Sequence, residues 1–227
     1  MALALQEYRD ALRYASRYGT GVALRDALEM RRLVVGGGAM RFVLDTCEKH
    51  GWRCTFFVTA RNLRRHQWLD EALTAGHEIG SHSFSHRLLP SLDDNALRME
   101  FSAAASAFSE RGIAPEGFRP PFLAADVRLP ALAREFGFRY LSGVEGGEAF
   151  RYPNGLDERT VASPYDWHGL LCQRRSPGEI AALWEASPSP VLLVHPRYAR
   201  RMLPLLPLPA GDYRACVGRR SLSFDVY

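Results

Sequence analysis

Short apolar runs, each about the length of a β-strand, alternate along this chain with segments whose apolar side chains recur at helical spacing. The clearest runs are Thr-Phe-Phe-Val at 55–58 and Val-Leu-Leu-Val at 191–194, and residues 39–49 show the helical pattern. Such alternation is typical of parallel strands joined by crossover helices. About six or seven such units predict an α/β fold whose sheet closes, or nearly closes, into a barrel.

The same patterns predict the individual elements and their grouping. We expect a single domain over residues 1–227, with an N-terminal helix at 1–19, the barrel at 20–196 and a C-terminal extension at 197–227. The alternating apolar residues of 221–227 predict an additional strand at the edge of the sheet. Strands are predicted at 22–24, 55–58, 78–81, 117–119, 140–142 and 191–194, and helices at 39–49, 62–74, 93–110, 127–136 and 178–186.

Composition and charge exclude several functional classes. The 29 basic and 25 acidic residues are spread along the sequence, so no nucleic-acid partner is expected. The four cysteines form no C-x-x-C pair, which predicts buried thiols in a reducing compartment. No stretch approaches the roughly 20 apolar residues of a spanning helix, and residues 1–19 lack a signal-peptide core. We therefore expect a cytoplasmic protein without a membrane span, and a small soluble substrate is favoured.

Two histidines, His82 and His86, stand four positions apart in a serine-rich loop after the predicted strand at 78–81. Residues at i and i+4 can face the same way, so both imidazoles can converge on a divalent cation such as zinc. The alternative is two histidines that fall in a polar loop by chance. In a parallel α/β barrel the chemistry gathers at the carboxyl ends of the strands. The distinctive residues that follow predicted strands are Asp26, His82, His86, Arg119 to Phe122, and His195.

Five ordered segments together form a pattern far more specific than any one of them. They are Cys-Thr-Phe-Phe-Val at 54–58, Ala-Gly-His-Glu-Ile-Gly-Ser-His-Ser-Phe-Ser-His at 75–86, Phe-Arg-Pro-Pro-Phe at 118–122, Tyr-Asp-Trp at 165–167 and Leu-Leu-Val-His-Pro at 192–196. With these motifs the chain resembles the polysaccharide deacetylase family, also called the NodB-homology or carbohydrate esterase 4 group. The resemblance implies a distorted (β/α)7 barrel that removes acetyl, sometimes formyl, groups from amino sugars with a bound divalent metal.

The resemblance and the chemistry of the residues together suggest a role for each candidate. A metal held by His82, His86 and one carboxylate would polarise the amide carbonyl and lower the pKa of a bound water. His195 is placed to protonate the leaving amine, and Asp166 could orient it. The alternative for His195 is a structural histidine at a strand end. Arg119, by analogy with the family, pairs with the catalytic aspartate.

The substrate-binding candidates are Pro121, Phe122 and Trp167. The two prolines after Arg119 predict a fixed turn, and in the family analogy backbone N–H groups near Phe122 face the developing oxyanion. The Asp-Trp pair at 166–167 is the weaker match, because such a pair also occurs readily by chance.

The first motif departs from the family pattern. Family members open with Thr-Phe-Asp-Asp or His-Asp-x-Asp on the first strand, which gives one aspartate as base and one as metal ligand. The corresponding stretch at 21–29 offers only Asp26 and, three positions on, Glu29. Asp26 is the candidate third metal ligand or the candidate general base. If Asp26 is the metal ligand, the general base is either Glu29 or the metal-bound hydroxide, or the site has none. Alternatively Asp26 caps a helix, or a rebuilt loop at 34–40 has displaced the motif.

The sequence thus predicts a metal-dependent hydrolase, most simply a zinc enzyme, that removes an acyl group from the nitrogen of an amino sugar or similar small amide. The alternative is a catalytically degenerate barrel that binds a glycan or protein partner, motivated by the missing aspartate pair. A third possibility is a metal-independent hydrolase that uses Arg119, His195 and a carboxylate. The oligomeric state is left open.

Overall fold

The computed structural model describes residues 9, 12–34, 38–217 and 220–226, with the backbone alone for 28–34. The side chain of Glu29 and part of the loop at 34–40 therefore lie outside the described residues. The helices are α1 (Thr20–Val34), α2 (Ala39–His50), α3 (Trp68–Thr74), α4 (Asp94–Glu110), α5 (Leu129–Glu135), α6 (Pro177–Ala186) and α7 (Ala199–Met202). The strands are β1 (Trp52–Arg53), β2 (Thr55–Val58), β3 (Glu78–Ser81), β4 (Gly117–Phe118), β5 (Tyr140–Leu141), β6 (Phe150–Arg151), β7 (Asp157–Glu158), β8 (Val191–Val194), β9 (Gly211–Asp212) and β10 (Ser221–Val226).

Eight of the described strands form one curled sheet in the order β6-β7-β5-β4-β3-β2-β10-β8. Every neighbouring pair is parallel except β6 and β7. A parallel bridge between Val161 and Val191 connects the segment after β7 to β8, so the sheet curls back towards its own edge. The predicted α/β fold with a largely parallel, barrel-like sheet is confirmed. β1 and β9 pair separately as a two-stranded parallel sheet.

β10 lies inside the sheet, between β2 and β8. Phe224 is paired with Phe56 on β2 and with Val194 on β8, and both pairings are parallel. The prediction of an edge strand was therefore wrong, and the segment at 197–227 contributes to the barrel rather than extending from it. Alternating apolar residues reveal a strand but not its neighbours, which here are distant in sequence.

The predicted strand at 22–24 was also wrong, because these residues belong to α1. Val22 and Asp26, four positions apart, are both buried on one face of that helix. Three consecutive apolar residues are too few to separate a strand from a helix by period. The predicted helix at 62–74 is a 3-10 turn at Ala60–Arg65 followed by α3.

The two faces of β10 have different chemistry. Leu222, Phe224 and Val226 face the hydrophobic core between sheet and helices. Ser223 and Asp225 alternate with them and bind an arginine on the opposite side. The carboxyl end of the barrel interior is thus polar and charged. No helix among the described residues is long and apolar enough to cross a membrane.

Candidate active site

A buried ion pair between Arg119 and Asp225 lies at the carboxyl ends of β4 and β10. Arg119 Nη1 donates to Asp225 Oδ1 at 2.8 Å and to Ser223 Oγ at 2.9 Å. The rest of the guanidinium is held by Ser142, whose carbonyl oxygen lies 3.2 Å from Nε and whose Oγ lies 2.7 Å from Nη2. Arg119 is fully buried. Its rigid fork of donors therefore fixes the position of the Asp225 carboxylate.

The charge of Asp225 is stabilised by its surroundings. Burial raises the pKa of this carboxyl group, but the guanidinium of Arg119 and the imidazoles of His82 and His195 outweigh burial, so the pKa lies below its ordinary value. Asp225 is consequently an anion at neutral pH, within electrostatic range of both histidines.

His82 and His86 lie beside this carboxylate, in the loop that follows β3. His82 Nδ1 is 2.9 Å from the carbonyl oxygen of Arg119, which assigns the proton to Nδ1 and leaves Nε2 as an acceptor. That Nε2 lies 3.9 Å from Asp225 Oδ2. The ring centroids of His82 and His86 are 5.0 Å apart. Burial lowers the pKa of both imidazoles, and for His86 the neighbouring positive groups lower it further.

A carboxylate on α4 holds the histidine loop from behind. Glu100 Oε2 accepts hydrogen bonds from the backbone N–H of Phe84 at 3.2 Å and of Ser85 at 2.9 Å, while Oε1 accepts from the Ser85 hydroxyl. Ser83 and His86 both have positive φ, of 63° and 56°. Such conformations cost energy in residues other than glycine, so the loop depends on these external contacts. Glu100 was not predicted from the sequence. Its position within a helix gives no local indication that its side chain contacts the histidine loop.

His195, directly after β8, is oriented by Asp166 as expected. The imidazole Nδ1 is 2.6 Å from Asp166 Oδ1, and the backbone N–H of His195 donates to Oδ2 at 2.6 Å. Asp166 Oδ1 also accepts from the backbone N–H of Trp167 at 2.7 Å. The contact fixes the ring and its tautomer, with the Nδ1 proton directed at Asp166.

Asp26, the predicted third ligand or base, contacts Trp167 and Arg197. Its Oδ1 accepts from Trp167 Nε1 at 2.9 Å and lies 3.1 Å from Arg197 Nη1. Among the residues that the structure describes, no group of three or more His, Cys, Asp and Glu side chains is placed to hold a metal ion. The two imidazoles of His82 and His86 are thus not joined by a third protein ligand there, and the donor set does not complete the three-ligand site typical of catalytic zinc.

Asp225 is the functional candidate that the sequence analysis missed. Residues 223–226 read Ser-Phe-Asp-Val, which is similar to the Thr-Phe-Asp-Asp motif named above, and Asp225 pairs with Arg119. The stretch at 21–29 was predicted to correspond to this motif, because the motif opens the sequence in the family. An aspartate near the end of the apolar strand at 221–226 was the available signal. Val226 stands where the family has its second aspartate.

Of the three substrate-binding candidates, Phe122 lies beside the histidine pair. The ring of Phe122 is 4.8 Å from that of His86, and Phe122 has a φ of 62° within the turn that begins at Pro121. Pro121 is buried at the base of this turn. Trp167 follows Asp166 and packs 6.2 Å from Tyr165 in a stacked arrangement. The three predicted residues therefore surround one end of the barrel, while their roles stay predictions.

Comparisons with known proteins agree with the fold and with the motifs. The sequence model of the polysaccharide deacetylase family matches residues 38–141. Chitin deacetylase 1 of Saccharomyces cerevisiae is 37% identical over 87 residues, which are 37% of this chain and 29% of the yeast protein. This chain therefore spans less than a third of that relative.

Solved structures show the same fold. The crystal structure of a putative polysaccharide deacetylase from Mycobacterium smegmatis has a TM-score of 0.56 and 23% identity, over 83% of this chain and 63% of that one. A carbohydrate esterase 4 family pseudoenzyme from Bacillus anthracis has a TM-score of 0.56 and 15% identity, over 83% and 59% of the two chains. At these identities the likeness concerns the fold alone.

Proposed function

We propose that this chain, whose residues 38–141 belong to the polysaccharide deacetylase family, hydrolyses the amide of an N-acylated amino sugar or a similar small amide. The observation that carries the proposal is the pairing of two acid–base groups at one end of the barrel. Asp225 is an anion held by Arg119, and His195 is an imidazole oriented by Asp166. Phe224 on β10 is paired with Val194 on β8, so Asp225 and His195 each come one residue after a member of this parallel pair.

The chain's own residues can supply both proton transfers of amide hydrolysis. Asp225 accepts a proton from the attacking water as the water oxygen bonds to the acyl carbon. His195 donates a proton from Nε2 to the amide nitrogen as the carbon–nitrogen bond breaks, so the products are a carboxylic acid and a free amine. Arg119 keeps Asp225 ionised before the reaction, and Asp166 keeps the His195 ring in place. Backbone N–H groups near Phe122 are the proposed oxyanion donors.

Matched substitutions of two arginine-paired aspartates test the assignment of the base. Asp225 contacts Arg119 at 2.8 Å and Asp26 contacts Arg197 at 3.1 Å, and both aspartates are buried. We expect Asp225→Asn to lower kcat on N-acetylglucosamine by about 10²- to 10⁴-fold, the usual worth of general acid–base catalysis. Asp26→Asn should keep kcat within about tenfold. The reverse ranking would return the base to Asp26 and remove Asp225 from the mechanism.

Zinc at His82 and His86 is a separate proposal, supported by the four-residue spacing and the adjacent rings. Because the described residues offer no third ligand, the hydrolysis proposed above includes no step through a metal. Elemental mass spectrometry of the purified protein tests the site, with His82→Ala, His86→Ala and Asp26→Ala beside it. About one zinc ion per chain, lost in both histidine variants, would establish zinc as the cofactor. Zinc absent even after reconstitution would exclude it.

The second candidate function is a non-catalytic barrel that binds a glycan or a protein partner. It is favoured by one observation, that a valine, Val226, and not a second aspartate follows Asp225. This candidate predicts no hydrolysis of any N-acylated amino sugar even with added zinc or cobalt, together with measurable glycan or partner binding by calorimetry. Turnover that Asp225→Asn abolishes would exclude it.

A further inference from the structure

The segment at 12–34, here called the cover, consists of a helical stretch at 12–16, a turn and α1, and it packs at the mouth of the barrel. It contacts three separate chain segments that follow strands. Tyr14 stacks on Phe122, after β4, with ring centroids 5.0 Å apart. Tyr18 packs 5.6 Å from Trp167, in the segment between β7 and β8. Asp26 pairs with Arg197, which follows β8. Because Phe122, Trp167 and Arg197 all lie in segments that follow strands, the three contacts place the cover at the carboxyl-terminal mouth of the barrel.

Aromatic rings of the cover and the barrel form a continuous layer above the proposed acid–base groups. Phe122 lies between Tyr14 and His86, at centroid distances of 5.0 Å and 4.8 Å. The ring of Tyr14 also lies 5.7 Å from that of Trp167, which stacks on Tyr165, and the ring of Tyr165 is 6.2 Å from that of His195. Burial raises the pKa of Tyr14, in agreement with a phenol removed from water.

The layer leaves the site beneath it nearly closed. The exposed fraction is 7% for His86, 9% for His195 and 5% for Asp225. A site that acts on internal units of a polymer must admit the chain on both sides of the reacting sugar, which requires an open groove. Here the rings of Tyr14 and Phe122 occupy that path on one side, and Trp167, bonded to Asp26, occupies it on another.

We infer that the cover restricts this site to sugar-sized N-acyl compounds and excludes the internal units of an N-acetylated polymer. The inference rests on the proposed amide hydrolysis and specifies the substrate class for it. A sugar-sized ligand can enter by a local displacement of the aromatic rings and stack its apolar face on them. A polymer would require the whole cover to leave, with the loss of its ion pair and its ring contacts.

The test compares two probes of equal chemistry and different size, N-acetylglucosamine and the soluble polymer glycol chitin. We expect the wild-type chain to release acetate from the monomer at least tenfold faster per acetyl group than from the polymer. The double variant Tyr14→Ala, Tyr18→Ala should raise the polymer rate at least tenfold. Leu24→Ala, at a 64% exposed position on the same segment, is the control and should change neither rate. Equal wild-type rates on the two probes would overturn the inference.

A second readout separates failure of this inference from failure of the proposed function. Carbethoxylation of individual histidines by diethyl pyrocarbonate, followed by mass spectrometry, measures access to His195 relative to the exposed His50. We expect His195 to react slowly in the wild type and faster in the double variant, and to be protected by the monomer but not by the polymer. If no variant hydrolyses either probe, the proposed function fails, and this protection pattern alone decides the inference. Equal protection by both probes, or by neither, would overturn it. Tyr18→Ala alone serves if the double variant does not fold by circular dichroism.

Discussion

Arg119 determines both the position and the charge of Asp225. Its guanidinium is fully buried, and it binds the carboxylate, Ser223 and Ser142 at once. An ion pair of this kind contributes little net stability compared with a hydrophobic pair, but removal of one partner leaves an uncompensated buried charge. The arginine is therefore the single residue on which the proposed base depends most.

Arg119→Met is expected to shift the acid limb of the kcat/KM profile to higher pH. In the wild type the pKa of Asp225 is below its ordinary value, so its contribution to stability is present above about pH 4 and is lost as pH falls further. Without the guanidinium, only the imidazoles of His82 and His195 oppose the effect of burial, so the pKa of the carboxyl group rises. We also expect a loss of about 3–5 kcal/mol of unfolding free energy. An unchanged acid limb in pH–rate measurements would show that Asp225 is not the titrating base.

At the scale of single elements, the loop after β3 depends on α4. Glu100→Ala removes both acceptor oxygens, so the backbone N–H groups of Phe84 and Ser85 lose their partner. We expect a loss of about 1–3 kcal/mol in urea unfolding, the cost of leaving a buried donor unpaired. Glu110→Ala, in the same helix, breaks only an exposed ion pair with Arg64 and should change stability by less than about 1 kcal/mol. Similar losses for the two variants would contradict the proposed support of the loop.

β10 is the element that joins the two halves of the sheet. Phe224 is fully buried and stacks on Phe56, with ring centroids 5.1 Å apart. Phe224→Ala should lower the unfolding free energy by about 3–5 kcal/mol, as is usual for a buried phenylalanine. Phe150, which is 45% exposed on β6, offers the control, since Phe150→Ala should cost no more than about 0.5 kcal/mol. A small effect at Phe224 would mean that β10 is not part of the cooperative core.

The local hydrophobic pattern of the sequence predicted most strands of the sheet, but it did not predict which strands are neighbours in the middle of the sheet. The strands at 55–58 and 191–194 could be recognised in the sequence because both of their faces are buried. A strand that is buried on both faces reads as a nearly continuous apolar run. The segment at 221–226 was recognised as a strand, but its partners are set by tertiary packing. Asp225 was missed for the same reason, since only the pairing of β10 with β2 brings it to Arg119. Asp166 and His195, by contrast, were predicted as a pair from their motifs, and they are in contact.

At the scale of the whole molecule, buried imidazoles make the fold sensitive to mild acid. Burial lowers their pKa values, so the unfolded chain binds protons that the folded chain does not. Stability is therefore complete above the ordinary imidazole pKa of about 6.5 and is lost as pH falls below it. Burial raises the pKa of Glu158, so the effect of this carboxyl group on the pH dependence of stability is opposite to that of the imidazoles. Glu158 is a single group. The imidazoles concerned are those of His66, His77, His82 and His86.

We expect the free energy of urea unfolding to fall between pH 7.5 and pH 5.5. His77→Asn should reduce this dependence, because an amide oxygen can replace Nδ1 as acceptor for the backbone N–H of Cys54 and does not titrate. His50→Asn, at an exposed position, should leave the pH dependence of the unfolding free energy unchanged. A flat stability profile across this range would show that the buried imidazoles are protonated in the folded chain.

The place of β10 in the sheet also has a consequence for biosynthesis. β10 follows every other described strand in the sequence, yet it fills the gap between β2 and β8. While a ribosome is still making the chain, both neighbours present unpaired backbone edges of the kind that other strands can join. The nascent protein therefore depends on protection from self-association until β10 emerges, and Asp225, its proposed general base, emerges with that strand.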